Sequence, residues 1–412
     1  MKNLLLCLLV LFGSLAVGQS TSRIAFITPE GQLATVDPSG EELSVLSSRG
    51  SRLQFPAWSP DGVRIAALGS DTEGGFVRLY EDAEGNVPIE IYRSPNQTPF
   101  YLYWSPDSQH VSLLANQQGG IGLYLASEGQ PSRVLTTGSP FYWQWTANSQ
   151  QLLIHAGFSG SGSRLGFTSR VADTLEENLA DPGNFQAPGI SPSGEYIAYS
   201  AITSRGPELV LSSRPDVATE ALERTVPHRG LVALTWSPVN DELAFMSPAR
   251  NSRAFFGPIS LMDAETGLLE TLTDNTALAF FWSPDGRYIA YLSPFRQDDG
   301  DFASNDVVQI AQTNQSQYVQ RQPTLLSLYI IDVAERSEQL LTSFAPSLQF
   351  INQFLPFFDQ YALSHSVWSP SSDALVFPVI DLADPSLQVA VIGLDGTQTY
   401  VGNGDMPFWN RR

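Results

Sequence analysis

In 412 residues there are one cysteine, one lysine and four histidines. Cys7 lies in the N-terminal apolar segment, with no lipid-attachment box around it, so the rest of the chain has no thiol, no disulfide framework and no cysteine-based metal site. Beyond Lys2, the one lysine, stand 21 Arg against 42 Asp and Glu, a net charge of −21. That balance excludes the basic patches needed to bind nucleic acid or an anionic membrane face. His110, His155, His228 and His365 are dispersed without any local pairing, a poor set for a metal site, and His110 and His155, on or beside expected strands, read as structural or surface histidines. No Gly-x-Ser-x-Gly nucleophile elbow occurs, and Gly157-Phe158-Ser159-Gly160-Ser161-Gly162 misses it and reads as a loop. Walker loop, dinucleotide fingerprint and His-Glu-x-x-His are absent too, so no cofactor is implied.

The apolar run at the start belongs to residues 1–18. Met1-Lys2-Asn3 is a short positive start, Leu4 to Phe12 an apolar stretch, and Ala16-Val17-Gly18 a small-residue cleavage pattern. The segment reads as a secretory signal peptide cut before Gln19, which predicts a secreted or periplasmic protein. The alternative, an uncleaved anchor, suffers from an apolar stretch that is short for a span. After cleavage no stable membrane insertion is expected.

What the chain has in quantity is Gly (32), Pro (28) and aromatics (11%), the composition of many strands joined by tight turns. One unit recurs. In Trp282-Ser283-Pro284-Asp285-Gly286-Arg287-Tyr288-Ile289-Ala290-Tyr291 a strand arrives at the tryptophan, turns, and leaves through an apolar run. Pro284 pre-sets its φ, Asp285 can bond its own turn, and Gly286 tolerates a positive φ. The apolar run suits a strand covered on both faces. Equivalent turns open at Trp58, Trp104, Trp145, Ile190, Trp236 and Trp368; from Trp58 the steps are 46, 41, 45, 46, 46 and 86 residues. A period in the forties built from short strands predicts propeller blades of four strands each.

The fold class expected is therefore all-β, a single β-propeller over residues 19–412. The chain past the leader opens with an Ile24-Ala25-Phe26 strand that lacks a tryptophan strand before it. It ends with Phe408-Trp409, a tryptophan strand that nothing follows, 41 residues beyond Trp368. A blade shared between the termini removes two exposed sheet edges and brings the count to eight, with seven or nine as alternatives. The 86-residue step is read as one blade with insertions at about 294–323 and 344–364.

The Trp-Ser-Pro-Asp-Gly repeat with its Ile-Ala-Tyr strand resembles the WD40-like propeller repeat of the TolB family and the propeller domain of prolyl-oligopeptidase-type peptidases. The resemblance covers nearly all of residues 23–410. TolB itself has a separate N-terminal domain and a six-bladed ring, neither of which fits, and no residues remain for a hydrolase domain. It implies the fold, and no functional residue carries over by position.

Three features stand out as candidate sites. Asp298, Asp299, Asp301 and Asp306 crowd one loop of the first insertion, an oxygen-rich set of the kind calcium favours, although the spacing matches no calcium motif and a solvated acidic loop is the plain alternative. The turn aspartates Asp61, Asp107 and Asp285 are explained by turn formation. The second insertion gathers Phe350, Phe354, Phe357 and Phe358, followed by Asp359, Tyr361 and His365. It reads either as a cap over one mouth of the ring or as a docking patch projecting from the rim. The function expected is a non-catalytic exported propeller that binds an envelope or extracellular protein, a glycan or a small ligand. The alternative is a propeller enzyme, a hydrolase, lactonase or lyase, with a metal in the central channel.

Overall fold

The computed structural model describes residues 22–411, apart from 51, 84, 158–161, 172–174, 185, 215–220, 249–256, 297–323 and 382–385. The proposed leader and the Asp298–Asp306 loop lie outside the described residues. Eight antiparallel sheets form the blades of one ring.

Blade 1 joins the two ends of the chain: Asp405–Trp409 pairs with Ile24–Ile27, which is followed outward by Leu33–Val36 and Ser44–Val45. Ile24 faces Trp409 and Ala25 faces Phe408 in register. Asn410 seals the joint, its N–H donating to the Arg23 carbonyl at 2.9 Å and its Oδ1 accepting from the Arg23 N–H at 3.0 Å. Blades 2 to 7 run from the axis outward in chain order, with inner strands Arg52–Trp58, Pro99–Trp104, Phe141–Trp145, Gly189–Ile190, Ala233–Trp236 and Ala279–Trp282. The first insertion sits in the hairpin of blade 7, between Tyr288–Pro294 and Leu326–Asp332.

The repeat positions are the joints between blades. Trp104 donates its indole N–H to the Ala57 carbonyl at 3.0 Å, Trp282 to Thr235 at 3.3 Å and Trp368 to Phe281 at 3.0 Å. Each acceptor directly precedes the tryptophan of the blade before. In the turns, the Ser283 hydroxyl donates to Asp285 Oδ1 at 2.6 Å, and that oxygen also takes the Arg287 N–H at 3.0 Å, so the aspartate is consumed by its own turn. Gly62 and Gly286 hold φ near +70°, and Ser108, Ser149 and Ser372 occupy the same turn position at φ 59°, 60° and 60°. A non-glycine there costs about 1 kcal/mol or more. Each serine hydroxyl offsets that cost by accepting a backbone N–H from another blade: Asp61 at 3.0 Å, Asp107 at 3.0 Å and Asp285 at 3.1 Å. Blades pack face to face, and the alanine of the second strand (Ala25, Ala66, Ala198, Ala244, Ala290) is wholly buried, a small residue where the next sheet comes close.

Blade 8 departs from the four-strand expectation. Its regular strands are Ala374–Ile380, Leu387–Gly393 and Gln398–Asn403, and its inner strand survives as two bridges, Pro346 with Val379 and Trp368 with Leu375. Between Pro346 and Trp368 lie 21 residues, against three between Leu375 and Val379. The second insertion is thus spliced into the innermost strand of a blade, the one that borders the axis.

Candidate functional site

Because it leaves from an inner strand, the second insertion does not project from the rim. It runs into the central channel and fills it. The segment passes through a π-helical turn, Phe350–Phe354, and a 3-10 turn, Leu355–Phe357, into helix α1, Phe358–Ser364. It starts at the face opposite the Trp-Ser-Pro turns, where the Ser347 hydroxyl donates to Asp405 at 2.8 Å. Phe350, Phe354, Phe358, Tyr361 and His365 are buried against the inner strands, whereas Phe357 is 42% exposed and touches Tyr142 edge-on. The aromatic contacts reach around the ring. Phe350 meets Phe377 of blade 8, Phe354 meets Phe281 and Phe408 of blades 7 and 1, and Tyr361 meets Phe55 and Tyr101 of blades 2 and 3. A ring has no central core of its own, so filling the axis with apolar side chains adds one.

Polar groups on α1 complete the inner edges, whose backbone would otherwise face a void. Gln360 acts as a surrogate strand for blade 4: its Oε1 accepts the Trp143 N–H at 2.9 Å, and its Nε2 donates to the Trp143 carbonyl at 2.9 Å and to the Tyr101 hydroxyl at 3.1 Å. Tyr101 in turn donates to the Gln360 carbonyl at 2.9 Å. Gln144 repeats the device between blades, donating to the Ile190 carbonyl at 3.3 Å and accepting its N–H at 2.8 Å. Ser364 Oγ lies 2.6 Å from His365 Nδ1, and burial lowers the His365 pKa to about 3, so the ring is neutral.

Above the plug the channel remains open toward the Trp-Ser-Pro face as a blind cavity of about 720 Å³. Its rim carries the turn prolines, among them Pro106, Pro192, Pro238, Pro284 and Pro370, and its wall includes Trp145, Trp236, Trp282 and Trp368. Hydroxyl and amide groups of the turns stand around the mouth, among them Thr146, Asn148, Ser193 and Ser237, and Arg214 of blade 5 lines it too. Asp359 and His365 reach it from the plug, Gln144 from blade 4, and Asn410 and Arg411 from the C-terminal strand's end. Asp359 is 6% exposed, its Oδ1 accepts the Gln360 N–H at 2.9 Å, and burial raises its pKa to about 6 against partial compensation from the Gln360 and Ala187 N–H groups. No salt bridge among the described residues involves it. Arg411 donates to the Leu363 carbonyl at 2.5 Å.

Of the residues singled out by sequence, the structure brings Asp359 and His365 to the cavity and spends the phenylalanines and Tyr361 on the plug. The sequence reading missed Gln360, Gln144, Trp143 and Arg411. A glutamine inside an aromatic run was the available signal for the first of them. The remaining histidines stay apart: His155 Nδ1 lies 3.0 Å from the Gln186 carbonyl and His228 Nε2 lies 2.9 Å from Ser200 Oγ. Among the described residues no group of three or more His, Cys, Asp or Glu is placed to hold a metal ion.

No protein-family model matches the chain, and no curated protein does. Many solved structures resemble it. A eukaryotic initiation factor aligns with 95% of this chain and 99% of its own at 13% identity and a TM-score of 0.56. A TolB protein from Agrobacterium tumefaciens aligns with 65% of this chain and 95% of its own at 18% identity and a TM-score of 0.38. An oligogalacturonate lyase in complex with manganese aligns with 92% and 83% at 13% identity and a TM-score of 0.45. The chain is an eight-bladed β-propeller. Its structural neighbours include TolB proteins and other propellers, a likeness of fold alone at these identities.

Proposed function

We propose that this propeller is an exported binding protein that receives its partner or ligand in the blind cavity on the Trp-Ser-Pro face. The observation that carries the reading is the cavity itself: about 720 Å³, closed below by the plug, walled by tryptophan and rimmed by proline, with a few polar groups converging on its floor. That is the composition of a recognition pocket. The plug supports it further, since a channel closed at one end passes nothing through and offers one usable mouth. Export rests on the Met1–Gly18 segment. An enzyme would need a reactive set in the same cavity, where among the described residues one carboxylate, Asp359, and one imidazole, His365, face in; Ser364, which bonds His365, does not line it.

The test places a charge on the rim. Pro238 and Pro284 are exposed turn residues, so P238E and P284E should leave the melting temperature unchanged. Affinity capture by the mature protein from its native envelope or medium should lose its partner in both variants. Capture that is indifferent to both would place the binding face elsewhere.

A further inference from the structure

We infer that the cavity recognises a small zwitterion, an amino acid or short peptide with free ends, whose protonated amine seats on Asp359. The inference rests on the reading of this cavity as the binding site and names the ligand class.

Asp359 is the reason. Among the described residues it is the one carboxylate lining the cavity, it is 94% buried, and none of their cations forms a salt bridge with it. Burial without a counter-ion disfavours the charged form. The fold has no structural need of a carboxylate at this place. Asp359 accepts from the backbone N–H groups of Gln360, Ala187 and its own residue, which an asparagine carbonyl would accept as well. The adjacent Gln360 shows that an amide is well accommodated on this helix. An uncompensated buried charge that the scaffold could do without is the signature of a group kept for a ligand. The complementary ligand group is a cation small enough to enter, and an ammonium supplies the donors that the free lone pairs lack.

The opposite charge stands elsewhere on the same wall. Arg411 is anchored through the Leu363 carbonyl and stands near Tyr103 and Tyr101 of blade 3. Asp359 instead lies against Ala187, which leads into blade 5. Arg214 of blade 5 lines the cavity as well. A cavity with a carboxylate on its floor, guanidinium groups on its wall and indole and proline walls between them fits an ammonium, an apolar body and a carboxylate. The chain's net charge of −20 assists approach of the cationic end.

The experiment is calorimetric titration of the mature protein with leucyl-leucine, with N-acetyl-leucyl-leucine and with leucyl-leucine amide. Leucyl-leucine should bind. N-acetylation should weaken binding roughly tenfold to a hundredfold, the worth of one charge-assisted hydrogen bond at a buried site. The amide should be weakened severalfold. D359N should no longer distinguish the free from the acetylated amine, and R411Q should no longer distinguish the acid from the amide. Thermal melting of D359N at or above the wild-type temperature shows that lost binding is not lost folding. Equal binding of the acetylated peptide, discrimination that survives in D359N, or no binding of leucyl-leucine at millimolar concentration each overturns the inference. Partner capture that still depends on Pro238 and Pro284 would then leave the cavity reading standing; capture indifferent to them would remove both.

Discussion

The two sides of helix α1 differ in how completely their polar groups are met. Toward blades 3 and 4, Gln360 satisfies both backbone groups of Trp143, Tyr101 bonds Gln360 and Ser364, and the Ser112 hydroxyl accepts the indole N–H groups of Trp143 at 2.9 Å and Trp145 at 3.0 Å while donating to Tyr103 at 2.8 Å. Toward blades 5 and 6, Asp359 has no salt-bridge partner, and the Trp236 indole N–H and Thr235 hydroxyl are buried without a hydrogen-bond partner, among the described residues. Trp236 occupies the same repeat position as Trp104, whose N–H is bonded. The first side is built for stability and the second holds unmet polar groups beside the cavity. Buried networks stabilise when complete and cost free energy when partial.

The largest effect should come from the apolar part of the plug. Phe354 is fully buried among Phe350, Tyr361, Phe281 and Phe408, so F354A should lower stability by about 4 kcal/mol, read as a shift in the urea midpoint. Q360A follows at roughly 3 kcal/mol, because it strands the Trp143 N–H and carbonyl without access to water. S112A comes next at roughly 2 kcal/mol, since two buried indole N–H groups lose their acceptor at once. Should Q360A cost no more than an ordinary surface change, the surrogate-strand role would fall and with it the contrast between the two sides.

On the other side the sign reverses. D359N should stabilise the protein at neutral pH by roughly 1 to 3 kcal/mol, from a carboxylate raised from 3.8 to about 6. The raised value means the folded state holds the proton more tightly than the unfolded one. Wild type should therefore trail D359N fully above pH 6, close the gap as pH falls toward 3.8, and match it below. Subtracting one curve from the other removes the opposite trend from His155 and His365, held at about 4 and about 3, which weaken both proteins as pH drops below 6.5. A gap that stays constant with pH would show that Asp359 is not the group responsible.

How much of this was legible in the chain follows from what each contact is made of. The ring, its count of eight and the shared blade were readable because the repeat is local: turn, strand and period sit within about fifty residues. Trp282 and Asp285 announce their roles in their own turn. The insertion was misplaced because its partners are not local. Phe350 through His365 meet Phe55, Tyr101, Trp143, Phe281 and Phe408, residues from five other blades that only ring closure brings to one axis. In the sequence a run of five aromatics outside the repeat looks the same whether it caps, docks or plugs. The splice into an inner strand, marked by Pro346 and Trp368 bridging one strand of blade 8, is visible in the register and not in the composition.

The smallest expected effect is the sharpest test of the comparison. Thr235 and Ser112 both present hydroxyls near the axis, on the inner strand of blade 6 and the second strand of blade 3. The Ser112 hydroxyl makes three hydrogen bonds, whereas Thr235 Oγ1 is buried and makes none, although its backbone carbonyl takes the Trp282 indole N–H. Valine has the shape of threonine, keeps the backbone and its strand preference, and replaces the hydroxyl by a methyl group. Removing an unpaired buried hydroxyl recovers its desolvation cost, so T235V should change stability by no more than about 0.5 kcal/mol or raise it by up to about 1 kcal/mol. The same loss of a hydroxyl in S112A should cost several times more in the opposite direction. The two variants are measured side by side by urea denaturation, with equal slopes required so that the midpoints compare directly. If T235V is as costly as S112A, Thr235 has a partner on folding, and the blade 5 and 6 side is as complete as the other. If T235V is neutral or stabilising, the unmet groups beside Asp359 are retained for something other than the stability of the ring.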